Sequence, residues 1–457
     1  MKDKKIVVLL KYFKGELNPF DGSALECALL SGAKDITALT MAPNSSIEAF
    51  RSLTRLGIKG VFITDPLYAG SDTQATSLVL SRAIQKINPD IIFCGRQSVD
   101  GDTAQVPSML AQRLGYDIKV KVTGIDGNKV TTRSGKTYEI LDKTILTFEK
   151  IQTLRFPSIF SRLGEIEVWD NSVLRLKKEE CGLLGSPTRV IKSYESTVGR
   201  RDCEYTSLKN LTNLIELGLK KDRCSTSIET GEKLEKVYYV GKIKSVAESI
   251  SKNAIELKVD EKGVDKISSY ILSVAPCQVL WEDSDEYKEL ASRIAVSLGA
   301  GLCADCISFR VENGKFVMTR PAQGGNVTAD IICTSSIEFA TVRTVKDNEK
   351  DVVFSIGKGA INYIDKIKDL AKKFDAEVCC SRIVADSGKL PYEMQVGLTG
   401  KTVSPKVYVA FGISGAVQHT CAISGAGTII AVNNDKDARI FDYADYGIIT
   451  EVENVEL

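Results

Sequence analysis

Short apolar runs alternate with amphipathic stretches in the N-terminal part of the chain, residues 1–195. The apolar runs KIVVLL, DITALTM, GVFITD and IIFCG predict buried strands at 5–10, 35–41, 60–65 and 91–95. Stretches with helical apolar spacing lie between them, at 24–32, 45–57 and 73–88. This alternation predicts an α/β fold, a parallel sheet covered by helices on both faces, whose ligands bind at the carboxyl ends of the strands. The polar loop RQSVDGDTAQV at 96–106 follows the fourth strand, where a nucleotide would sit.

The remaining chain divides into three further segments. Residues 196–236 carry more charge and lack clear strands, which indicates an arm or linker. A second, compressed α/β region follows at 237–343 and ends in a hairpin-like pair of strands around Gly324 and Gly325. The last unit, 344–457, begins with a strand that enters a glycine turn and continues into an amphipathic helix. We therefore expect four segments, with boundaries at 195, 236 and 343.

Composition narrows the possible functions. The 457 residues include 60 basic and 59 acidic side chains, so a net charge of +1 provides no overall field to attract nucleic acid or an anionic membrane. The apolar run at 6–10 is too short for a signal segment or a membrane span. We expect a cytoplasmic protein that neither binds nucleic acid nor inserts into a membrane, and whose 12 cysteines are mostly reduced thiols.

Metal and acid–base chemistry are poorly represented. Cys303 and Cys306 form the one CxxC pair, and no second pair completes a four-ligand set. Buried structural thiols are the favoured interpretation, with a redox pair or a metal site at these two residues as the alternative. His419 is the single histidine. One histidine cannot form a multi-histidine metal site or pass protons between imidazoles, so we expect no metal site.

Several loops of the last unit combine glycines with hydrogen-bonding residues at strand ends. The turn 412–415, GISG, follows the strand VYVAF and opens a predicted helix with Ser414 as N-cap. A helix N-terminus with glycines suits a phosphate or another anion, and its positive end favours a neutral His419. Similar loops occur at 381–382 and 395–401 and beside Asn433 and Asp445. Together they predict a large ligand with polar edges, such as a dinucleotide.

These motifs resemble the electron transfer flavoprotein family. SR at 381–382, QVGLTGK at 395–401, GISGAVQH at 412–419, AVNND at 431–435 and ADYGI at 444–448 resemble the FAD-binding domain of its alpha subunit. TRPAQGGN at 319–326 and ATVR at 340–343 resemble the preceding alpha domain. NPFD at 18–21, the loop 95–106 and GLLGSPTRV at 182–190 resemble the beta subunit. The resemblance implies a beta–alpha fusion, one chain that replaces the usual heterodimer.

The resemblance also implies the fold and the flavin site. The fold would be parallel-sheet nucleotide-binding domains, similar to adenine nucleotide alpha hydrolases, and a C-terminal Rossmann-like FAD-binding domain. Thr399 would bond near flavin N5, Arg382 would lie against the ring, and His419 would face the N1/O2 edge, where reduction gathers negative charge. The full set of implied FAD contacts is Lys358, Ser381, Arg382, Gln395, Val396, Gly397, Leu398, Thr399, Ser414, Gly415, Ala416, Val417, Gln418, His419, Asn433, Asp445 and Tyr446.

A second nucleotide is implied in the beta-like part, AMP in simple carriers or a second FAD in electron-bifurcating members. Its implied contacts are Leu9, Asn18, Pro19, Phe20, Asp21, Met41, Gly95, Arg96, Gln97, Ser98, Asp100, Gly101, Asp102, Thr103, Ala104, Gln105 and Val106. The stretches 69–76, 100–106 and 185–188 resemble the bifurcating type, although the N-terminal loop between Lys11 and Asn18 is short. FAD is the favoured second nucleotide.

Three functions follow from the resemblance. The first is an FAD-dependent carrier between flavoprotein dehydrogenases, such as the acyl-CoA dehydrogenases of fatty acid beta-oxidation, and an acceptor. The segment 154–165 would dock the dehydrogenase through Phe156 and Pro157, while the C-terminal domain swivels on residues 343–350. The second is an NADH-oxidising, electron-bifurcating flavoprotein with two FADs that works with an acyl-CoA dehydrogenase. The third is a nucleotide-binding regulator without electron transfer.

Some positions depart from the family pattern. Lys358 stands where arginine is common, Leu398 replaces a polar residue, and Arg439 replaces a proline. Lysine keeps the charge of arginine but loses its planar fork. These departures concern the redox potential more than FAD binding.

Overall fold

The computed structural model describes residues 1–195, 200–220, 227–228, 231–259, 263–325, 327–343, 350–397 and 400–455. The chain folds as two compact units. The first comprises residues 1–192, 228–320 and 330–342, and the second comprises 193–227, 321–329 and 343–457. The four segments expected from the sequence, with their boundaries, remain predictions.

The N-terminal part alternates strands with helices. Its strands are β1 (Lys5–Leu10), β2 (Tyr12–Phe13), β3 (Glu16–Leu17), β4 (Asp35–Met41), β5 (Lys59–Ile63), β6 (Ile91–Gly95), β7 (Asp117–Asp126), β8 (Lys129–Thr132), β9 (Thr137–Glu139), β10 (Thr144–Phe148), β11 (Glu167–Trp169) and β12 (Thr188–Glu195). Its helices are α1 (Pro19–Leu30), α2 (Ile47–Ser52), α3 (Thr73–Ile87), α4 (Val106–Leu114) and α5 (Asn171–Leu174). The predicted strands and helices are confirmed, with α1 beginning earlier than its apolar spacing indicated.

Nine of these strands form one sheet, in the order β11-β5-β4-β1-β6-β10-β7-β8-β9. The pairs from β11 to β7 are parallel, and β7, β8 and β9 pair antiparallel. Alternate residues of β1 enter opposite cores, Ile6 and Val8 on one face and Val7 and Leu9 on the other. Burial of both faces explains why the central strands read as continuous apolar runs.

The arm is more structured than the sequence indicated. Its described residues contain β13 (Glu204–Tyr205), α6 (Leu211–Leu219) and β14 (Ser227–Ile228). Two-residue strands carry no detectable alternation, which is why the pattern did not reveal them. Leu211, Leu214 and Ile215 of α6 are buried in the core of the second unit.

The middle region contains a second parallel sheet and a hairpin. Its elements are β15 (Val237–Val240), α7 (Lys244–Ile250), β16 (Ala254–Glu256), α8 (Gly263–Ser273), β17 (Cys277–Glu282), α9 (Asp285–Leu298), β18 (Gly301–Cys306), β19 (Ser308–Glu312), β20 (Lys315–Ala322), β21 (Val327–Cys333) and β22 (Ile337–Val342). The parallel sheet has the order β16-β15-β17-β22-β18, and a third sheet has the order β12-β21-β20-β19-β14. The predicted hairpin is therefore formed by the neighbouring strands β20 and β21.

The C-terminal region forms a six-stranded parallel sheet. Its elements are β23 (Val352–Ile356), α10 (Ile364–Lys373), β24 (Glu377–Cys380), α11 (Arg382–Asp386), β25 (Val407–Phe411), α12 (Val417–Thr420), β26 (Thr428–Asn433) and β27 (Tyr446–Ile449). The order is β13-β27-β26-β25-β23-β24, so the arm supplies one edge strand. The carboxyl ends of these strands, with their glycine turns, lie at one edge of the sheet.

Candidate functional site

A cavity of about 320 Å³ opens in the first unit at the carboxyl ends of β1, β4 and β6. The predicted residues that line it are Leu9, Asn18, Asp21, Met41, Gly95, Arg96, Gln97, Ser98, Asp100, Gly101, Thr103, Ala104, Gln105 and Val106. Pro19 and Phe20, in the first turn of α1, and Asp102, in the loop after β6, are not among the residues that line it. Most of the residues that the sequence suggested for this site therefore line one cavity.

The first turn of α1 fixes two of these loops. Asp21 accepts hydrogen bonds from the backbone N–H of Lys11 at 2.7 Å and of Gly95 at 2.9 Å. A Cβ on Gly95 would lie only 2.3 Å from Asp21 Oδ1, so glycine is required for this approach. Burial raises the pKa of Asp21 to about 7, although the hydrogen bonds that it accepts favour the carboxylate. Asn18 donates from Nδ2 to the carbonyl of Gln97 at 2.9 Å and closes the same corner.

The loop after β6 contains two non-glycine residues with left-handed backbone. Asp102 and Ala104 have φ angles of 53° and 55°, with Thr103 between them. Left-handed residues within such a loop can turn successive N–H groups toward one side. The loop leads directly into α4, whose first residues, Val106 and Pro107, line the cavity. The first turn of α4, with the positive end of the helix dipole, thus lies at the cavity wall.

Arg320 is a buried cation in this wall that we did not predict as a site residue. Its side chain is 4% exposed, and it donates from Nε to the carbonyl of Ala304 and from Nη1 to that of Gly101, both at 2.7 Å. Its Nη2, like Asn18 Oδ1, is buried and has no hydrogen-bond partner within the described part of the chain. An unsatisfied buried guanidinium N–H is costly. A phosphate in the cavity would satisfy it.

Two glycine turns of the second unit pack backbone against backbone. The N–H of Gly359 donates to the carbonyl of Gly412 at 3.0 Å. Gly412 has a φ of 60°, and a Cβ there would lie 2.6 Å from the N of Ala360. The loops after β23 and β25 can therefore meet only because both are glycine turns.

His419 lies behind these turns with both ring nitrogens in hydrogen bonds. It is 6% exposed, and its Nε2 is 2.8 Å from the Tyr408 hydroxyl. Its Nδ1 is 3.1 Å from the carbonyl of Val396. Burial lowers the pKa of His419 to about 4, so the imidazole is neutral near pH 7. A neutral histidine was expected, whereas its two internal partners were not.

The predicted N-cap of this helix was wrong. Helix α12 begins at Val417 with Ala416 as its N-cap residue, and no side chain caps it. Ser414 lies before it on an exposed turn. Gly415, with a φ of 85°, directs the chain past the backbone of Ile440, and the helix begins only afterwards.

Other predicted residues shape the strand-end loops of the second unit. Asn433 donates from Nδ2 to the carbonyl of Ile413 at 2.9 Å and accepts from the N–H of Asp435 at 3.1 Å. Asp445 accepts from the N–H of Ile429 at 2.7 Å and from the guanidinium of Arg201, which belongs to the arm. These side chains therefore hold backbone in place.

The remaining predicted FAD contacts are more accessible or lie outside the described residues. Ser381 Oγ is buried and has no partner among the residues that the structure describes. Arg382 and Lys358 are exposed, and Arg382 pairs with Asp386 at 3.3 Å. Leu398 and Thr399 lie outside the described residues. The other predicted contacts are near these loops, namely Gln395, Val396, Gly397, Ser414, Gly415, Ala416, Val417, Gln418 and Tyr446.

The cysteine pair is buried as expected. Cys303 and Cys306 lie on β18, and the Cys306 thiol is 3.6 Å from the carbonyl of Cys303. Burial raises the pKa of Cys306 well above its ordinary value, which keeps the thiol protonated. Across the described residues every cysteine is free of a disulfide, and no helix there has the length and apolar character of a membrane span.

The predicted docking segment projects apolar side chains into solvent. Phe156 is 96% exposed, and Ile159 and Phe160 are almost as accessible, while Pro157 is half-buried. The base of the segment is held by Arg155, whose guanidinium donates to buried Glu26 at 2.9 Å. Its far end is held by the N–H of Gly164, which donates to Thr54 Oγ1 at 2.8 Å. An anchored loop with exposed aromatic residues is typical of an interaction site.

Comparison with known families identifies the group to which this fold belongs. A family model described as "Electron transfer flavoprotein domain" matches residues 6–146 and 251–362, more than half of the chain. The chain belongs to the electron transfer flavoprotein family. A second model, "Electron transfer flavoprotein FAD-binding domain", matches residues 348–424, so the C-terminal region carries the FAD-binding domain of this family.

Individual relatives agree with this assignment. The electron transfer flavoprotein subunit alpha of Thermoanaerobacterium thermosaccharolyticum is 37% identical over 214 residues, 37% of this chain and 65% of the relative. That of Mycobacterium leprae is 32% identical over 231 residues, 42% of this chain and 73% of the relative. The acryloyl-CoA reductase electron transfer subunit beta of Anaerotignum propionicum is 32% identical over 255 residues, 38% of this chain and 70% of the relative. The match to the first of these spans slightly less than two thirds of its length.

Proposed function

We propose that this protein is an FAD-dependent electron carrier that combines the two subunit types of its family in one chain. The observation that carries the proposal is the match of one domain model to two separate segments, 6–146 and 251–362, followed by an FAD-binding domain. The relatives named as alpha subunits align with only 37% and 42% of this chain. The remainder is long enough to be a beta-like part.

The C-terminal domain would hold FAD, which would supply the electron chemistry when bound. The glycine turns at 357–359 and 412–415 bring backbone to the carboxyl edge of the sheet, and Ser381 offers a buried, unsatisfied hydroxyl. Exposed Arg382 would lie against the ring. The chain's own residues would bind and orient the cofactor, and the reaction would require no protein acid, base or nucleophile.

The cavity of the first unit would hold a second nucleotide. Arg320 Nη2 and the first turn of α4 would meet its phosphate, and the apolar side chains of Leu9 and Met41 line the same cavity. Ser71, Asp72, Thr73, Thr76 and Thr188 also line the cavity, and they come from the stretches that resemble electron-bifurcating members. This supports a second FAD over AMP.

A nucleotide census tests both sites. The protein is purified, denatured, and its released nucleotides are separated and quantified per chain. We expect two FAD per chain. One FAD and one AMP per chain would agree with the carrier function but contradict a second FAD. A colourless protein that takes up no added FAD would contradict the proposal and favour a regulator. Bleaching of the flavin by NADH alone, without a dehydrogenase, would identify the bifurcating function.

A dehydrogenase would dock on the exposed segment around Phe156 and Pro157. The exposure of Phe156, Ile159 and Phe160 supports this, and the name of the Anaerotignum propionicum relative associates that protein with acryloyl-CoA reductase. We infer a partner that acts on acyl-CoA substrates. A cytoplasmic location belongs to the same proposal, since the described cysteines are free thiols.

A further inference from the structure

A continuous line of hydrogen bonds crosses the interior of the second unit from β24 to β25. The N–H of Val396 donates to the carbonyl of Cys380 at the end of β24, at 2.9 Å. The carbonyl of Val396 is 3.1 Å from His419 Nδ1, and His419 Nε2 is 2.8 Å from the hydroxyl of Tyr408 on β25. Val396, His419 and Tyr408 are all buried, so water cannot replace these partners.

The chemistry of the partners assigns each proton on this line. A carbonyl oxygen only accepts, so Nδ1 of His419 must carry the hydrogen that it gives to Val396. A neutral imidazole then has a lone pair on Nε2, and the Tyr408 hydroxyl donates to it. Phenylalanine at position 408 would leave that lone pair buried and unsatisfied.

We propose that Tyr408 is a positioning residue that fixes His419 as the neutral imidazole with its proton on Nδ1, and that His419 thereby holds the backbone of residues 395–397. In this arrangement the ring acts as a clamp between α12, β25 and the loop, and both of its nitrogens are already used. A ligand could receive a hydrogen bond from Nε2 only if Tyr408 released it.

The tight fit of the loop supports the clamp. Gly397 has a φ of 142°, and a Cβ there would lie 2.9 Å from the carbonyl of Gln418, the residue before His419. The loop thus contacts both the backbone of α12 and the side chain of His419. Residues 395–397 would meet the flavin, a point that rests on the proposed function. The proton assignment and the clamp do not depend on it.

The single histidine makes the proton assignment directly measurable. Full-length protein with isotopically labelled histidine gives one pair of ring nitrogens in NMR, without overlap. We expect the spectrum of a neutral ring protonated at Nδ1, unchanged from neutral pH to about pH 5, because the pKa of His419 is about 4. A ring protonated at Nε2, or one that titrates near its ordinary pKa, would overturn the proposal without any variant.

Tyr408→Phe tests the hydroxyl, with Tyr12→Phe as the matched control. Tyr12 is also buried, but its hydroxyl has no hydrogen-bond partner among the described residues, so its loss should leave the histidine spectrum unchanged. In Tyr408→Phe we expect the Nε2 resonance to move and the Nδ1 tautomer to lose population. Identical spectra in both variants would show that Tyr408 does not set the state of the ring.

Two histidine variants test the clamp by hydrogen exchange of the 395–397 backbone amides. Asparagine places its N–H near the position of Nδ1, and glutamine places its amide near that of Nε2. We expect His419→Asn to retain most of the protection of the Val396 amide and His419→Gln to lose at least about tenfold of it, because only the former can still donate to Val396. Equal protection in the two variants would contradict the clamp. The protein is measured both as purified and after removal of bound nucleotide, so the result does not depend on flavin binding.

Discussion

The two candidate sites use polar residues in opposite ways. In the cavity of the first unit, Arg320 and Asn18 keep buried polar atoms without a protein partner. In the second unit, His419, Asn433 and Asp445 have their polar atoms bonded to the protein itself. The first site is therefore built for side chains to meet a ligand. The second uses side chains to fix the backbone that a ligand would meet.

This difference determines what a substitution should do. Removal of a buried polar atom that has no protein partner should weaken ligand binding and cost the free protein little. A buried polar atom that already has a protein partner stabilises the fold, so its removal leaves that partner unsatisfied. Arg320 combines both cases, because its Nη2 is unpaired while its Nε and Nη1 donate to backbone carbonyls. Ser381 differs from the paired side chains of the second unit, because its hydroxyl is buried and unpaired among the described residues, as are the hydroxyls of Ser355 and Thr428 in the same unit.

Arg320→Met should produce the largest effect, a loss of the nucleotide bound in the first unit. Truncation of a buried charge that meets a ligand anion costs about 3 kcal/mol or more, roughly a hundredfold in affinity. The census on denatured protein should lose one nucleotide per chain while the flavin of the C-terminal domain remains. Arg82→Met, an exposed arginine of α3, is the control and should change neither. Loss of both nucleotides in Arg320→Met would contradict the prediction that Arg320 acts only on the site in the first unit.

His419→Ala should instead destabilise the second unit. The change leaves the Tyr408 hydroxyl and the Val396 carbonyl buried and unsatisfied, which lowers the free energy of unfolding by about 2–3 kcal/mol. Denaturant titration of nucleotide-free protein measures this, with a probe for each unit, because the two units need not unfold together. A stable second unit combined with weakened FAD binding would mean that His419 is a ligand contact after all.

The pattern of the sequence predicted which loops line the cavity and form the glycine turns, but not which partners their polar side chains have. The rule that parallel strands end at one edge located the 96–106 loop and the GISG turn. Arg320 was missed as a site residue because its partner Gly101 lies 219 residues away, although it belongs to the motif TRPAQGGN at 319–326. Tyr408 was likewise hidden in the apolar run VYVAF, since periodicity does not show which buried hydroxyl will find a partner.

Titration of His419 should make the stability of the second unit depend on pH, with a smaller effect than that of the His419→Ala substitution. The pKa of His419 is about 4 in the folded protein, below its ordinary value of 6.5, so between these values the unfolded chain binds more protons. Stability of the second unit should therefore fall by about 2 kcal/mol as the pH is lowered from about 7 to about 5.

A variant without the titrating ring isolates this contribution. His419→Asn cannot take up the proton, so the difference in unfolding free energy between wild type and His419→Asn should shrink as the pH falls through this window. The measurement is a denaturant titration at several pH values, followed by a probe in the second unit. A difference that is constant with pH would show that the buried imidazole titrates normally and is accessible to water.

Phe156→Ser should have the smallest effect on stability and on nucleotide content, because Phe156 belongs to neither candidate site. Its side chain is 96% exposed, and the change should alter unfolding free energy by less than about 0.5 kcal/mol and leave the nucleotide census unchanged. In an electron-transfer assay, the apparent affinity for an acyl-CoA dehydrogenase should fall about tenfold, because exposed aromatic anchors contribute much of the binding energy of an interface. Leu183→Ala, an exposed leucine elsewhere in the first unit, is the control. Equal apparent affinities for the dehydrogenase in the two variants would place the docking surface away from this loop, since neither change touches a nucleotide site.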